Sequence, residues 1–564
     1  MRHMESYQLT FAQALHTALQ GKLSLQHITN LLETPRRKEL GDAAFPCFTL
    51  AKELKISPVD IAQELAEAIS HPAFEKVEAH GPYVNVFFHR LSFSAEVLSR
   101  ILREGEHYGD HDAGNGATVT IDLSSPNIAK PFSMGHLRST VIGASLSHLA
   151  EKNGYVPIRI NYLGDWGTQF GKLITAYLHW GDEDRVRKQP IIELLALYVM
   201  FHEKAQTNPA LNDEARLWFK KLEDGDEQAL QLWKWFRDES IQSFQKTYDL
   251  LSISFHSYNG EAFYNDKIAG VVNQLRAKGL LTLSDGAEVV SLEEHGLPPC
   301  LIVKRDGAST YAVRDLAAAI DRYKTYHFKK SLYVVGPEQS LHFQQVMLVL
   351  EKMGYTWAKE MIHIPFGFIL KEGKKMSTRK GKIILLEEVI AEAISLARQT
   401  IELKNPTLPN KEVVAKQIGV GSLIFHDLKN DRLGNVEFSL QTMLAFEGDT
   451  ALYLQYTHAR ACSLLRKVTS APSTSGLCDD HSFSIVKHLS LFPVIVQNSF
   501  SHYEPSQLAK YAIQLAHLFN AYYSAVRILT EDSERDNRLA LVKSVTIVLK
   551  ESLRLLGVQA PEEL

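Results

Sequence analysis

A stretch of small and polar residues between Asp122 and Thr140, DLSSPNIAKPFSMGHLRST, contains the most informative chemistry of the sequence. It follows the apolar run VTIDL (119–123), a predicted strand, and leads into a helix predicted to begin near Gly135 and His136. Open α/β sheets bind ligands where parallel strands end, and a helix N-terminus offers unpaired N–H groups to phosphate. Gly135 would allow a nucleotide to approach the backbone, and His136 could donate a hydrogen bond to it. A Gly-His pair alone is also typical of an ordinary surface turn.

A second stretch far downstream, LKEGKKMSTRKGK (370–382), sets six cationic side chains against one carboxylate. Gly373 and Gly381 flank its centre, so it is predicted to be a mobile basic loop. Such a loop can close over a triphosphate and stabilise charge on a leaving pyrophosphate, whereas an isolated basic run is more often a solvated turn. The sequence contains no GxxxxGK[ST] motif, which excludes a P-loop nucleotide site on motif grounds.

The composition is that of a globular protein and excludes several other classes. The chain has 564 residues, of which 45% are hydrophobic and 22% charged, and its formal net charge is −4. This balance excludes a generally basic nucleic-acid coat but permits local basic surfaces. No uncharged apolar run is long enough for a membrane span, and residues 1–30 lack the apolar stretch of a signal peptide, so we expect a cytoplasmic protein. The four cysteines show no metal-ligand spacing, and no metal site is expected.

Strand-like runs that alternate with helical patterns predict a parallel sheet within residues 113–440, with helices on its faces. A charged helical block at about 180–260 interrupts this alternation and is interpreted as an insertion into the sheet domain. The predicted strands are 119–123, 156–163, 331–336 and 361–370. The predicted buried stripe of the insertion consists of Ala229, Trp233 and Phe236.

The two ends of the chain are predicted to form separate domains. Residues 1–112 are interpreted as an α+β unit with a helix over 56–69 and a strand at 81–88, whose Val84, Val86 and Phe88 share one face. Residues 441–564 are interpreted as a helical bundle. Apolar residues at spacings of four and three trace one helix face there, namely Leu508, Ala512, Leu515, Phe519, Tyr522, Val526 and Leu529.

The two chemical stretches together resemble the HIGH and KMSKS signatures of class I aminoacyl-tRNA synthetases, and the surrounding sequence resembles the arginyl-tRNA synthetase family. The resemblance covers essentially the whole chain in family order. Its segments are LGDAAFP (40–46), GPYVNVFF (81–88), SSPNIAKPFSMGHLRST (124–140), NYLGDWGTQFG (161–171), YAVRDLAAA (311–319), VVGPEQSLHFQQ (334–345), KKMSTRKG (374–381), LQYTHARACSLLRK (454–467) and LRLLGVQAPEEL (553–564).

The resemblance implies a fold and an activity. The fold is a multidomain α/β protein: a Rossmann-like catalytic domain with a helical insertion, an N-terminal α+β domain that contacts tRNA, and a C-terminal α-helical bundle that binds the anticodon. The activity is that of an arginine–tRNA ligase, which uses ATP with Mg²⁺ to form arginyl-adenylate and transfers L-arginine to the 2′-OH of the terminal adenosine of tRNA(Arg). No tightly bound cofactor and no membrane are implied, and the chain is expected to be a monomer.

The resemblance also implies roles for single residues. The catalytic groups are His136, Lys130 and Lys375. The residues implied to bind ATP are Ser133, Gly135, His136, Lys375, Ser377 and Arg379. The residues implied to surround the arginine substrate, whose flat guanidinium requires acceptors in a fixed geometry, are Asp122, Ser125, Asn127, Tyr311, Asp315 and Gln339. The residues implied to bind tRNA are Tyr456 and Arg460.

Two departures from the family pattern lie in the nucleotide motifs themselves. Ser133 stands where the first histidine of HIGH would be, and Thr378 stands at the second lysine of KMSKS. In the family a lysine upstream of HIGH offsets that missing lysine, and Lys130 matches it. The departures leave open a catalytically weak, synthetase-like paralogue that acts in RNA binding or regulation. A nucleotidyltransferase shares the phosphate geometry, but it is disfavoured because such chains are short and lack a helical C-terminal domain.

Overall fold

The computed structural model describes residues 4–35, 37–376, 378–379, 382–468 and 472–564. Its strands are β1 Ala43–Pro46, β2 Phe74–His80, β3 Tyr83–Phe88, β4 Thr118–Asp122, β5 Val156–Ile160, β6 Leu281–Ser284, β7 Ala287–Val290, β8 Cys300–Val303, β9 Lys330–Tyr333, β10 Met361–His363, β11 Ile369–Lys371, β12 Lys374–Lys375, β13 Thr378–Arg379, β14 Lys382–Ile383 and β15 Val436–Glu437. Its helices are α1 Met4–Ala18, α2 Leu25–Leu31, α3 Phe48–Leu54, α4 Pro58–Ala68, α5 Arg90–Glu104, α6 Leu137–Lys152, α7 Thr168–Trp180, α8 Glu183–Lys188, α9 Pro190–Thr207, α10 Ala210–Glu223, α11 Glu227–Leu251, α12 Asn265–Ala277, α13 Tyr311–Tyr326, α14 Ser340–Lys352, α15 Leu386–Lys404, α16 Lys411–Leu428, α17 Leu440–Met443, α18 Ala451–Arg466, α19 Asp480–Ser490, α20 Phe492–Ser501, α21 Ser506–Ala525 and α22 Arg535–Leu555.

The N-terminal part is a three-stranded antiparallel sheet in the order β1-β3-β2, with α4 packed on β2 and β3. Val84 and Val86 are fully buried in β3, which confirms the alternation seen in the sequence. The predicted helix over 56–69 is also confirmed, as α4. Ser57 caps α4 by accepting a hydrogen bond from the N–H of Val59, and Pro58 occupies the first turn, where its missing N–H costs nothing.

A four-stranded parallel sheet in the order β10-β9-β4-β5 lies at the centre of the chain. In its register Asp122, at the end of β4, is opposite Tyr333 at the end of β9. α6 connects β4 to β5 and is buried along nearly its whole length, because α16, α20 and α22 pack on it. The predicted parallel sheet with covering helices is therefore confirmed, and the carboxyl ends of β4 and β9 lie side by side.

The predicted strand 361–370 is wrong as a single element. β10 ends at His363 and belongs to the parallel sheet, whereas β11 begins at Ile369 and pairs with β12 and β15 in a separate sheet. Pro365 lacks the N–H of a ladder residue. The backbone of Gly434 packs so closely on Gly367 that an added Cβ would lie 2.3 Å from its carbonyl oxygen. The intervening residues consequently cross from one sheet to the other.

The block predicted as an insertion, at about 180–260, lies within a run of helices from α7 to α11. Ala229 and Phe236 are fully buried, as predicted, and the indole N–H of Trp233 donates to the carbonyl oxygen of Asp165 at 2.7 Å. A small antiparallel sheet, β6-β7-β8, follows the insertion and was not predicted.

The C-terminal part is a helical bundle. In it α21 and α22 pack against each other, and α18 and α19 each pack against both of them. The predicted apolar face is fully buried at the α21 residues Leu508, Ala512, Leu515, Phe519 and Tyr522. The last turn of that prediction is wrong, because α21 ends at Ala525 and Val526 takes an extended backbone with φ −119° and ψ 130°. None of the helices in the described ranges is long and apolar enough to cross a membrane.

Candidate active site

The loop between β4 and α6 has an unusual backbone. Ser124, Ser125 and Ala129 have φ angles of 72°, 48° and 57°, which lie in the left-handed region that residues with a Cβ rarely adopt. The N–H of Ser124 donates to Oγ of Ser139 at 2.9 Å, and Oγ of Ser125 donates to Oδ1 of Asp122 at 2.7 Å. The loop is thus tied to the strand before it and to the helix after it.

A cavity of about 460 Å³ opens where β4 and β9 end, beside the first turn of α6. Gly135 and His136 line one part of it, and Lys375 lines another, so the two stretches separated in sequence meet here. Ser125 and Glu338 also contribute to the lining. The positive end of the α6 dipole and the cationic Lys375 make this cavity suited to a polyphosphate.

His136 is held as a neutral ring with a defined tautomer. The N–H of Ser133 donates to Nδ1 of His136 at 3.2 Å, and burial lowers the pKa of the imidazole to about 4. Because Nδ1 accepts, the proton of the neutral ring is on Nε2, which is therefore a hydrogen-bond donor. The ring of Phe132 stacks on the imidazole with 5.2 Å between centroids.

The basic stretch 370–382 begins as a β-hairpin, whereas the sequence predicted a loop there. β11 and β12 pair through Leu370 and Lys375, and the turn between them consists of Glu372 and Gly373, with φ angles of 53° and 72°. Two consecutive residues with positive φ are typical of the tight turn that joins antiparallel strands. The stretch continues into β13 and β14, which pair with each other.

Lys375 lies at the mouth of the cavity and has two neighbours of its own. Its Nζ is 3.3 Å from Oε1 of Glu338 and 3.3 Å from the ring centroid of Phe368. The predicted residue Ser377 lies outside the described residues. Arg379 belongs to β13, and its side chain lies outside the described part.

Three predicted residues are in the β4–α6 loop but do not line the 460 Å³ cavity. Ser133 makes hydrogen-bond contact with His136 through both its N–H and its hydroxyl, whose oxygen is 3.3 Å from Nδ1. Lys130 is exposed. Asn127 is exposed as well, and its backbone forms a parallel bridge to Gly164, against which its side chain packs. The structure therefore places Ser133 as a support of His136.

Asp122 lies beneath the cavity in a buried ion pair. Its Oδ2 is 2.8 Å from a guanidinium nitrogen of Arg322, and both side chains are less than 5% exposed. The rings of Tyr162 and Tyr333 lie 5.1 and 5.5 Å from the guanidinium carbon. Burial raises the pKa of Asp122, and the Arg322 charge opposes that rise. Asp122 is not part of the cavity wall, but it accepts a hydrogen bond from Ser125, which is.

A second cluster of predicted residues forms where α13 begins, next to the turn that leads into α14. Tyr311 and Asp315 are one helical turn apart, and Oδ2 of Asp315 is 2.6 Å from Nε2 of His342. The ring of Tyr311 is 4.7 Å from that of His342. Gln339 is exposed and follows the cavity-lining Glu338 in the 3-10 turn Pro337–Gln339. The structure thus groups Tyr311 and Asp315 around His342 and places Gln339 next to Glu338, while none of the three lines the 460 Å³ cavity itself.

A third carboxylate near this cluster was missed by the sequence analysis. Burial raises the pKa of Glu261 to about 7; Arg314 opposes the rise, and the charges of Asp315 and Asp165 add to it. Glu261 begins a short 3-10 turn, and its N–H donates to the carbonyl oxygen of Leu163 at 3.0 Å. Nothing local in the sequence around Glu261 distinguishes it from an ordinary acidic loop residue, and His342 was missed for the same reason.

Three family models match the chain and divide it between them. They are described as tRNA synthetases class I (R), catalytic domain, over residues 97–440; Arginyl tRNA synthetase N terminal domain, over 5–88; and DALR anticodon binding domain, over 454–564. The chain is 59% identical to arginine–tRNA ligase 2 of Bacillus anthracis over 99% of its own length and 100% of that protein. The chain belongs to the arginyl-tRNA synthetase family.

Two further comparisons agree with this placement. The arginine–tRNA ligase of Enterococcus faecalis is 56% identical over 98% of this chain and 99% of its own. The solved arginyl-tRNA synthetase of Thermus thermophilus superposes with a TM-score of 0.81 at 25% identity, covering 98% of this chain and 99% of that one. The resemblance and the fold class predicted from the sequence are therefore confirmed. The part matched by the class I synthetase model, residues 97–440, contains the cavity and the two stretches 122–140 and 370–382 that meet at it.

The part matched by the anticodon-binding model contains a second arrangement that suits an arginyl-tRNA synthetase. The guanidinium carbon of Arg460 lies 4.7 Å from the ring centroids of both Tyr456 and Tyr523, and one of its nitrogens donates to Asn520 at 2.7 Å. Tyr456 is 39% exposed, so it is a surface residue rather than a core aromatic. Tyr456, Arg460 and Tyr523 line a cavity of about 380 Å³. Tyr523 joins the predicted pair and was missed by the sequence analysis.

Proposed function

We propose that the chain is an arginine–tRNA ligase that activates L-arginine with ATP and transfers it to the 2′-OH of the terminal adenosine of tRNA(Arg). The observation that carries this proposal is the cavity whose wall brings Gly135 and His136 together with Lys375. The relatives whose whole length the chain matches bear the name of this activity. No observation favours the alternative of a catalytically weak paralogue.

The first step forms arginyl-adenylate. The carboxylate of arginine is ionised at neutral pH and attacks the α-phosphorus without a general base, so catalysis consists of positioning and charge neutralisation. His136, neutral and protonated on Nε2, donates to a phosphate oxygen, and the first turn of α6 adds backbone N–H groups. Lys375 neutralises charge on the leaving pyrophosphate, with Lys130 and Arg379 contributing from the flanking segments.

The metal ion of this reaction is part of the substrate. No three His, Cys, Asp or Glu side chains are grouped as a metal site within the ranges that the structure describes. Glu338 is a carboxylate in the cavity wall, and oxygen ligands of this kind suit Mg²⁺. We therefore propose that Mg²⁺ arrives on ATP, held mainly by phosphate oxygens.

Selectivity for arginine comes from the carboxylates near α13. Burial raises the pKa of Glu261 and the charge of Asp315 adds to that rise, so a guanidinium bound beside these carboxylates would stabilise their ionised forms. Tyr311, beside His342, and Gln339, next to Glu338, are proposed to supply further hydrogen-bonding groups to the substrate. Ser125 and Asn127 are proposed to hold the backbone side of arginine, with Asp122 acting through Ser125.

The remaining parts are proposed to bind tRNA. The N-terminal unit, assigned residues 1–112, contacts the body of the tRNA, and the bundle, assigned residues 441–564, binds the anticodon with Tyr456 and Arg460. Arginine and aromatic side chains together stack on unpaired bases and neutralise phosphates. The sheet domain, assigned residues 113–440, carries the catalysis. We further propose that the enzyme is a cytoplasmic monomer.

The proposal is tested by charging purified tRNA with each of the twenty labelled amino acids in turn, with ATP present or omitted. The expected result is ATP-dependent attachment of arginine alone. If no arginine is attached under any Mg²⁺ concentration, while the chain still binds tRNA in a filter assay, the proposal is wrong and the regulatory paralogue replaces it.

A further inference from the structure

The β4–α6 loop keeps its shape against the preference of its own backbone. Ser124, Ser125 and Ala129 are all left-handed, and none of them is glycine. Such conformations persist only where surrounding contacts impose them, and they concentrate at functional sites. The contacts that impose this loop therefore determine where its chemical groups lie.

Two of these contacts come from one helix of the insertion. The N–H of Ala129 donates to Oγ of Ser240 at 3.0 Å, and Oγ of Ser124 is 2.8 Å from the hydroxyl of Tyr248. Ser240 and Tyr248 are both buried on α11. Asn161 adds a hydrogen bond from Nδ2 to the Tyr248 hydroxyl at 2.9 Å, which fixes the position of that hydroxyl.

A third contact from the same helix reaches His136 through one ring. Phe244 lies midway between Ser240 and Tyr248, so the three residues recur every four positions and share a face of α11. The rings of Phe244 and Tyr248 lie 5.5 and 5.3 Å from that of Phe132. Phe132 in turn stacks on His136 at 5.2 Å.

We infer that this stripe of α11, Ser240, Phe244 and Tyr248, is the template that holds the nucleotide-binding loop and His136 in their active positions. The inference rests on the proposed function and assigns these three residues as positioning residues, since each acts through the loop. It makes the helical insertion part of the catalytic apparatus rather than an independent appendage. Removing the Tyr248 hydroxyl takes away one of the contacts that hold Ser124, which keeps its hydrogen bonds to Ser139 and Thr140. The aromatic packing on Phe132 is retained.

The matched experiment compares Tyr248→Phe with Tyr258→Phe. The Tyr258 hydroxyl donates to Gln245 of α11 at 2.8 Å. Tyr258→Phe therefore removes a partly buried hydrogen bond to α11 that does not involve the β4–α6 loop. Arginine-dependent ATP–pyrophosphate exchange is measured in the presence of tRNA. We expect kcat/KM to fall about tenfold in Tyr248→Phe and in Ser240→Ala, and to stay within about twofold of wild type in Tyr258→Phe.

A second readout follows the loop directly and needs no activity. Amide hydrogen exchange is measured on the peptide that spans 123–137 in the wild type and the three variants. We expect faster exchange there in Tyr248→Phe and Ser240→Ala, with unchanged exchange in Tyr258→Phe and with equal thermal midpoints for the two tyrosine variants. Equal activity and equal exchange in Tyr248→Phe and Tyr258→Phe would overturn the inference. A wild-type chain without any ATP–pyrophosphate exchange activity would instead contradict the proposed function. The amide hydrogen-exchange comparison would still test whether α11 holds the loop.

Discussion

Nζ of Lys375 lies 3.3 Å from Oε1 of Glu338, so the cation proposed to neutralise pyrophosphate is paired with a carboxylate at the mouth of the cavity. Both side chains are more than half exposed, and exposed pairs of this kind contribute little stability. A polyphosphate therefore displaces Glu338 from Lys375 at small cost. The pair keeps the lysine beside the cavity while leaving its charge available.

Replacing Lys375 with methionine is expected to lower kcat of pyrophosphate exchange about 100-fold, because it removes a charge that acts mainly in the transition state. The KM for arginine should change by no more than about twofold. The control is Lys374→Met, since neighbouring residues of β12 point to opposite faces and Lys374 does not line the cavity. Equal losses in the two variants would show that general surface charge, and not Lys375, matters.

Replacing Asp315 with asparagine is expected to raise the KM for arginine at least about tenfold and to leave the KM for ATP nearly unchanged, because a buried guanidinium loses a charged partner. Glu261→Gln should act in the same direction. Asp321→Asn lies on the same helix, farther from the cavity, and serves as the control. Steady-state exchange kinetics measure both constants. An unchanged KM for arginine in Asp315→Asn would show that Asp315 does not select the substrate.

Variants of His136 and His148 should show whether a buried histidine acts on folding stability alone or also on catalysis. Burial lowers the pKa of both His136 and His148 to about 4. Between that value and the unfolded value of about 6.5 the unfolded chain binds more protons, so folding stability falls as pH falls through this window. His136→Gln and His148→Gln should each flatten the pH dependence of urea unfolding between about pH 4 and 6.5.

Activity distinguishes the same two variants. His148 lies on α6 beside a different cavity, of about 200 Å³, whereas His136 lines the nucleotide cavity. We expect His136→Gln to lower kcat of exchange at least about 100-fold and His148→Gln to change it by less than about threefold. Comparable losses in both would indicate that folding, and not phosphate contact, explains the role of His136.

Removing Arg322 should destabilise the fold, because it leaves Asp122 buried without its charged partner. Arg322→Met is expected to lower the free energy of unfolding by about 3–5 kcal/mol. The double variant Arg322→Met with Asp122→Asn should recover part of that loss, since no uncompensated charge remains. Urea unfolding of the single and double variants measures the effect. A double variant no more stable than Arg322→Met alone would contradict the pairing.

The sequence predicted those parts of the fold that local patterns determine. Apolar residues at every second position located β3, and apolar runs between helical patterns located the central strands. The Gly-His pair located the start of α6. The strand predicted at 361–370 failed because its apolar run continues through a point where the chain changes sheets, which depends on partners far away in sequence. The same limit applies to single residues. Glu261, His342 and Tyr248 derive their importance from contacts with other segments, and such contacts leave no local pattern.

The central claim is that one cavity holds arginyl-adenylate, with its phosphate at the start of α6 and its guanidinium beside the carboxylates of Asp315 and Glu261. A crystal structure of the full chain with a sulfamoyl analogue of arginyl-adenylate tests this most directly. The account predicts the sulfamoyl oxygens within hydrogen-bond distance of Nε2 of His136, and the guanidinium nitrogens within that distance of Asp315. An analogue bound elsewhere, or bound here with its guanidinium directed away from both carboxylates, would contradict the account.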